Sequence, residues 1–187
     1  MSRGIHSNDG IEVAPARAIP SRLPDIVGLG GMIAGLGGGL AMIVVAALLT
    51  AAGGGDIWRE PREIAQPLFG VVVSTDWAPI VVGTILHFLI AGLLGAVFGV
   101  VSRRVLRLPS DYGVPVLAGL IYGMALWALA YFVVLPILNP ALLDTYAPSF
   151  IIQHIIYGVV TGLIYTQLRP APYAHSKFER TAPLMGD

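Results

Sequence analysis

Four long apolar runs, each bounded by polar or proline-containing segments, dominate the pattern along the chain: residues 26–52, 77–101, 113–136 and 148–168. No Asp, Glu, Lys or Arg lies well inside any of them. Each run can cross about 30 Å of hydrocarbon at about 1.5 Å per helical residue. The pattern predicts an all-α integral membrane protein, a bundle of four transmembrane helices spanning 26–168. The segments 1–25 and 169–187 are polar, proline-containing and without a core of their own, and read as flexible tails. Some 25 polar residues precede the first run, which is too long for the apolar core of a signal peptide and is expected to stay as a helix.

The segment between the first two runs has a different period. Ile57, Trp58, Pro61, Ile64, Ala65, Leu68 and Phe69 recur at helical spacing, with Arg59, Arg62, Glu63 and Gln66 on the other side. This predicts a short amphipathic interfacial helix over about 57–70, lying on the membrane surface, with Pro61 in its first turn and Pro67 kinking or ending it.

Charge then sets an orientation. Arg3, Arg17 and Arg22 precede the first run, Arg103, Arg104 and Arg107 follow the second, and Arg169, Lys177 and Arg180 follow the fourth. The other two loops carry only Arg59 and Arg62 among several acids. The positive-inside rule places both termini and the middle loop in the cytoplasm, and makes Arg103, Arg104 and Arg107 topology determinants and lipid headgroup anchors.

The two halves resemble each other. Ala34-Gly35-Leu36-x-x-Gly39-Leu40-Ala41-Met42 in the first run matches Ala118-Gly119-Leu120-x-x-Gly123-Met124-Ala125-Leu126 in the third. The second run opens on Asp76-Trp77-Ala78-Pro79 and carries His87; the fourth opens on Thr145-Tyr146-Ala147-Pro148 and carries His154. Each half is a helical hairpin entering from the same side, so the repeat is expected to be parallel, with the amphipathic segment inserted in the first half. Trp77 and Tyr146 would be equivalent interfacial aromatics.

Rows of small residues mark packing faces. Gly31, Gly35 and Gly39 form one, Gly30, Ala34 and Gly38 a second; Ala91, Gly95 and Gly99 follow in the second run, Gly158 and Gly162 in the fourth. In lipid, where apolar burial does not itself drive helices together, such rows let backbones approach closely.

Apart from tyrosines, His87 and His154 are the ionisable side chains of the runs. They lie eight and six residues after Pro79 and Pro148, so their depths agree to about 3 Å. A buried polar group in a membrane needs a partner and often marks function. Three chemistries are open: interhelical packing with Gln153, Tyr122 or Tyr157 as partner; axial ligation of a b-type haem or another tetrapyrrole; or a quinone, proton or ion role.

Composition narrows the rest. The chain has 187 residues, 56% hydrophobic, 12% charged, with a mean hydropathy of +0.78 and zero net charge. No basic stripe suggests nucleic acid. The absence of cysteine excludes disulfides, thiolate metal sites and cysteine nucleophiles. Ten of the eleven basic residues are arginine, as in a GC-rich bacterial genome. No nucleophile–base pair, metal cluster or phosphate loop can be assembled, so an enzyme is not expected. The missing intramembrane carboxylate argues against an ion pump or proton-coupled carrier.

Through the Ala-Gly-Leu-x-x-Gly element and the histidine-bearing second and fourth runs, residues 26–168 resemble uncharacterised four-helix inner-membrane proteins of bacteria. The resemblance implies the fold and a bacterial cytoplasmic membrane, and brings no activity with it. The expectation is a non-catalytic accessory or assembly subunit of a larger respiratory or photosynthetic complex, with lipids and other membrane subunits as partners. A haem protein using His87 and His154 is the alternative, and a small permease or channel the third reading.

Overall fold

Leu, Ile, Val and Ala recur with no polar stripe in the four runs, so each can satisfy its backbone only within itself, as a helix. The computed structural model describes residues 28–69, 77–108, 113–144 and 147–168. It contains α1 (Leu29–Ala52), α2 (Arg59–Phe69), α3 (Trp77–Val100), α4 (Val114–Leu129), α5 (Leu135–Leu138) and α6 (Ala147–Leu168). Among the described residues there is no strand. A π-turn over Val101–Val105 extends α3, another over Ala130–Val134 joins α4 to α5, and a 3-10 turn over Pro140–Asp144 follows.

Four helices are long and apolar enough to cross a membrane: Leu29–Ala52, Trp77–Val105, Val114–Leu138 and Pro148–Leu168. The chain is a multi-pass membrane protein. Its outer faces agree: Leu48, Leu93 and Ile137 are 64, 66 and 74% exposed, the reverse of a soluble bundle. The third span runs two residues past its predicted end because Pro136 does not break it. Proline lacks an N–H for the preceding turn, and the wider π-turn just before it absorbs the mismatch. The first residues of the predicted 26–52 run, both tails and Tyr146 lie outside the described residues.

Packing follows the small residues. α1 lies between α3 and α6, and α4 packs on α6, while α3 and α4 barely touch. The Gly31, Gly35 and Gly39 row faces α3, where a methyl group on Gly35 would meet the Ala91 carbonyl and come within 2.6 Å of Gly95 Cα. The second row faces α6: Gly38 abuts Tyr157 and Thr161, and Gly30 approaches the Tyr165 ring. In the other hairpin, Gly119 and Gly123 pack on Gly158 and Gly162. α1 and α4 each begin after a left-handed glycine, Gly28 (φ 105°) and Gly113 (φ 82°), a conformation that other residues rarely adopt.

Because α1 offers no side-chain bulk here, tyrosines from α6 reach past it to α3. Tyr157 donates to the Ala91 carbonyl (2.8 Å) and Tyr165 to the Gly99 carbonyl (3.2 Å). From α4, Tyr122 donates to the Leu94 carbonyl (2.8 Å). Each carbonyl has a second lone pair free of the helix ladder, so these bonds cost α3 nothing. Ala34, Phe98 and Tyr165 form the buried centre, with Tyr122 against it.

The amphipathic segment is a helix, starting at Arg59 rather than residue 57 and continuing through Pro67 to Phe69. Asp56 sets its start: its carboxylate accepts from the Trp58 N–H (3.0 Å) and its carbonyl from the Arg59 N–H (3.0 Å). The ion pairs Arg59–Glu63 (2.6 Å) and Arg62–Asp56 are partly exposed and contribute little, about 0–1 kcal/mol each. What fixes α2 is its underside. Gly83 of α3 sits directly beneath the Pro61 carbonyl. Trp58 stacks edge-on against Trp77 at 5.9 Å, Asn139 donates to the Glu63 carbonyl (2.7 Å), and Gln153 donates to Glu60 (2.8 Å). α2 thus bridges α3, the end of α5 and α6, and closes one end of the bundle.

Candidate functional site

Where α3 and α4 draw apart, beneath α2, the bundle is hollow. One cavity of about 210 Å³ is walled by α1, α2, α3 and α6, and includes Glu60, Thr84, His87 and Gln153. A second, of about 250 Å³, continues along the gap between α3 and α5 and includes both His87 and His154. Met42, Ile64, His87, Leu142 and Phe150 belong to both walls, so the two volumes adjoin. Most of the lining is aliphatic or aromatic, as in pockets for apolar ligands. The second cavity opens sideways past Ile90 and Leu138, which are 51 and 63% exposed on the lipid-facing surface.

The two histidines therefore line a common space, as their matched depths in the sequence suggest. Their partners are not the expected ones. His87 Nε2 lies 3.0 Å from the Gly39 carbonyl of α1, and His154 Nδ1 lies 2.8 Å from the Phe150 carbonyl one turn back. Gln153, Tyr122 and Tyr157 instead bond to Glu60 and Ser149, to Leu94, and to Ala91. A carbonyl only accepts, so each bonded ring nitrogen carries the proton. The neutral ring then keeps a lone pair on Nδ1 of His87 and on Nε2 of His154. Neither atom is among the fully enclosed, unpartnered polar atoms of the described residues, which are Gln66 Oε1, Trp127 Nε1 and Thr161 Oγ1.

Glu60 is the site residue that sequence reasoning missed, having been counted among loop charges. Its carboxylate turns under α2, accepts from Gln153 Nε2, and shares the cavity wall with His87. The available signal was its position: Glu60 lies four residues before Ile64 and three after Ile57, on the apolar stripe. Burial pushes the carboxyl above its ordinary range. The Gln153 hydrogen bond pulls it back, the Glu63 charge adds to the rise, and Arg59 opposes it.

This shift fixes a sign. The folded protein disfavours the charged form of Glu60, so its contribution to stability is full below the ordinary value of 4.5 and is lost as pH rises through the raised one. Glu60→Gln, which still accepts from Gln153, is expected to unfold at higher temperature than the parent at neutral pH. The difference should vanish below pH 4.5. Melting curves across that range check it; a variant destabilised at neutral pH would mean that the charge itself holds α2.

Arg103 and Arg104 lie in the π-turn that ends α3, and Arg107 follows with a left-handed backbone (φ 48°), all at the end of the bundle opposite α2. They contribute nothing to the cavity. Among the described residues no group of three His, Cys, Asp or Glu side chains could hold a metal ion.

A family model matches residues 26–176, covering the whole bundle. The chain belongs to DUF6789, a family of unknown function. No curated protein and no solved structure matches it.

Proposed function

We propose that this DUF6789 protein is a non-catalytic integral membrane subunit that holds an amphipathic, lipid-borne ligand, as an accessory component of a larger electron-transfer complex in a bacterial inner membrane. One observation carries the reading: an apolar cavity with two imidazoles on its wall opens sideways between α3 and α5. Such an opening suits a molecule that arrives through the bilayer. The polar groups on the wall are spread among aliphatic and aromatic side chains, the pattern of binding sites, in which a few polar groups orient a mostly apolar ligand.

In the same proposal the two hairpins are a parallel repeat. Gly35 packs on Ala91 and Gly95, and its counterpart Gly119 packs on Gly158 and Gly162, which correspond to them when His87 and His154 are aligned. The cytoplasm lies at the arginine end, with both termini, and α2 lies in the opposite interface, its Trp58–Trp77 pair at headgroup level. Since the chain has no cysteine, single introduced cysteines report orientation cleanly. Cysteine at the exposed Arg107 should react with a membrane-impermeant maleimide only after the cells are opened, and cysteine at Asp56 in intact cells. The reverse labelling would invert the topology.

A second reading, a haem between the histidines, is favoured by His154. Its Nδ1–H is held by the Phe150 carbonyl, which fixes the ring and leaves Nε2 as the lone-pair nitrogen that an axial ligand needs. His87 has the opposite tautomer, and each cavity is smaller than the roughly 300–1,000 Å³ of drug-sized sites.

The deciding experiment is purification from native membranes in mild detergent, followed by a visible spectrum, organic extraction and mass spectrometry. The expected result is a colourless protein that migrates within a larger complex on blue-native gels. It should carry an extractable amphipathic molecule, lost in a His87→Leu/His154→Leu variant. A reducible Soret band would establish the haem reading, and a monomer with nothing extractable would remove both.

A further inference from the structure

The polar atoms around the cavity are unbalanced. His87 and His154 have each spent their N–H on a backbone carbonyl and keep a lone pair. Gln153 gives its two amide hydrogens to Glu60 and Ser149, so its carbonyl oxygen is left. The hydroxyls of Thr84 and Tyr157 donate to the Ile80 and Ala91 carbonyls. The remaining N–H donors, the Trp58 indole and one Asn139 amide hydrogen, belong to the α2 rim, where Asn139 already holds the Glu63 carbonyl. Apart from Asn139 at the rim, the described side chains that line the cavity with both histidines offer acceptors only.

A bound molecule must therefore bring donors. A ligand carbonyl facing an imidazole lone pair would leave two acceptors buried without a hydrogen, each costing about 1–3 kcal/mol. A hydroxyl in the same place would satisfy both. Both histidines line the space, each with one ring nitrogen left as an acceptor, the walls include flat rings at His87, Phe150 and His154, and the exit leads into lipid. These features fit a ring with hydroxyls and an apolar tail.

We infer that the cavity between His87 and His154 takes a lipid-borne hydroquinone in preference to the quinone of the same skeleton, its ring hydroxyls donating to Nδ1 of His87 and Nε2 of His154. The tail leaves between α3 and α5. The inference rests on the binding role proposed above and names the ligand class and its redox form. The two forms have nearly the same shape and differ by two hydrogens, so they isolate the hydrogen-bonding question from packing.

The test is isothermal titration of the full chain in lipid nanodiscs, without oxygen, with a decyl-chain benzoquinol and the matching benzoquinone. The quinol should bind at least about tenfold tighter, the equivalent of one net hydrogen bond. His154→Phe, which keeps a ring and removes the acceptor, should reduce that ratio toward one. The wild-type ratio needs no variant, so it decides even if His154→Phe fails to fold. Equal binding, or tighter binding of the quinone, overturns the inference. If neither form binds and solvent extraction still yields another amphipathic molecule, the hydroquinone assignment fails and the binding role stands. If neither binds and the extract is empty, both fail.

Discussion

Gly95→Ala is expected to be among the most destabilising single methyl additions in this protein, lowering stability by about 1–3 kcal/mol. The added carbon would lie against the Gly31 carbonyl, 2.5 Å from Gly35 Cα and 2.7 Å from Gly35 N. These are backbone atoms of a facing helix and cannot rotate away, so α1 and α3 must separate along their whole contact. That separation also loosens the Tyr157 and Tyr165 bonds that reach past α1. Gly92→Ala, one turn away, would meet only Leu36 and Met32 side chains at 3.3 Å or more, and should be neutral or slightly stabilising. Thermal unfolding in mild detergent separates the two. In the second hairpin Gly158→Ala meets the Gly119 carbonyl and lies 2.9 Å from Gly123 Cα, so a matching loss is expected there. If Gly92→Ala proved as harmful as Gly95→Ala, close approach of the facing backbone would not be what sets the cost, since helix propensity favours alanine at both positions.

The glycine rows were legible because close approach in lipid requires small residues at helical spacing, and nothing else produces them so regularly. Which row faces which helix was not legible. Gly31, Gly35 and Gly39 differ from Gly30, Ala34 and Gly38 only in what lies opposite, a property of the other spans. The depth of His87 and His154 could be counted from Pro79 and Pro148, and a shared cavity agrees with that count. Their hydrogen-bond partners could not be read, because the Gly39 and Phe150 carbonyls are backbone atoms that every residue carries. Glu60 was hidden for another reason. Its neighbours Arg59, Arg62 and Glu63 form a solvated charge cluster, and only the docking of α2 turns Glu60 inward. α2 itself was visible as an amphipathic period, but that period is equally that of a helix lying on lipid and of one packed on protein.

Gly83 decides between those two for α2; it lies one turn before His87, at the four-residue spacing that continues through Ala91, Gly95 and Gly99. The Pro61 carbonyl lies so close above it that no side chain fits, with Pro61 Cα only 3.3 Å from where a Cβ would be. Gly83→Leu is therefore expected to lift α2 from α3 while leaving the glycine rows of the bundle intact. Overpacking costs of about 1–3 kcal/mol correspond to roughly a tenfold to hundredfold increase in the open population. A single cysteine at Ile64, which lines both cavities, should then react with a water-soluble maleimide faster by about that factor. Val81→Leu, on the exposed face of the same helix at 52% exposure, serves as the control and should leave the rate unchanged. Gln153→Ala and Asn139→Ala each remove one tether of α2 and should accelerate labelling by a smaller factor, since one hydrogen bond contributes only about 0.5–1.5 kcal/mol. Unchanged labelling in Gly83→Leu would mean that α2 is held by the bilayer rather than by the bundle. The cavity would then lose its roof whenever the surrounding lipid allowed it, and the two histidines would face a groove instead of an enclosed site.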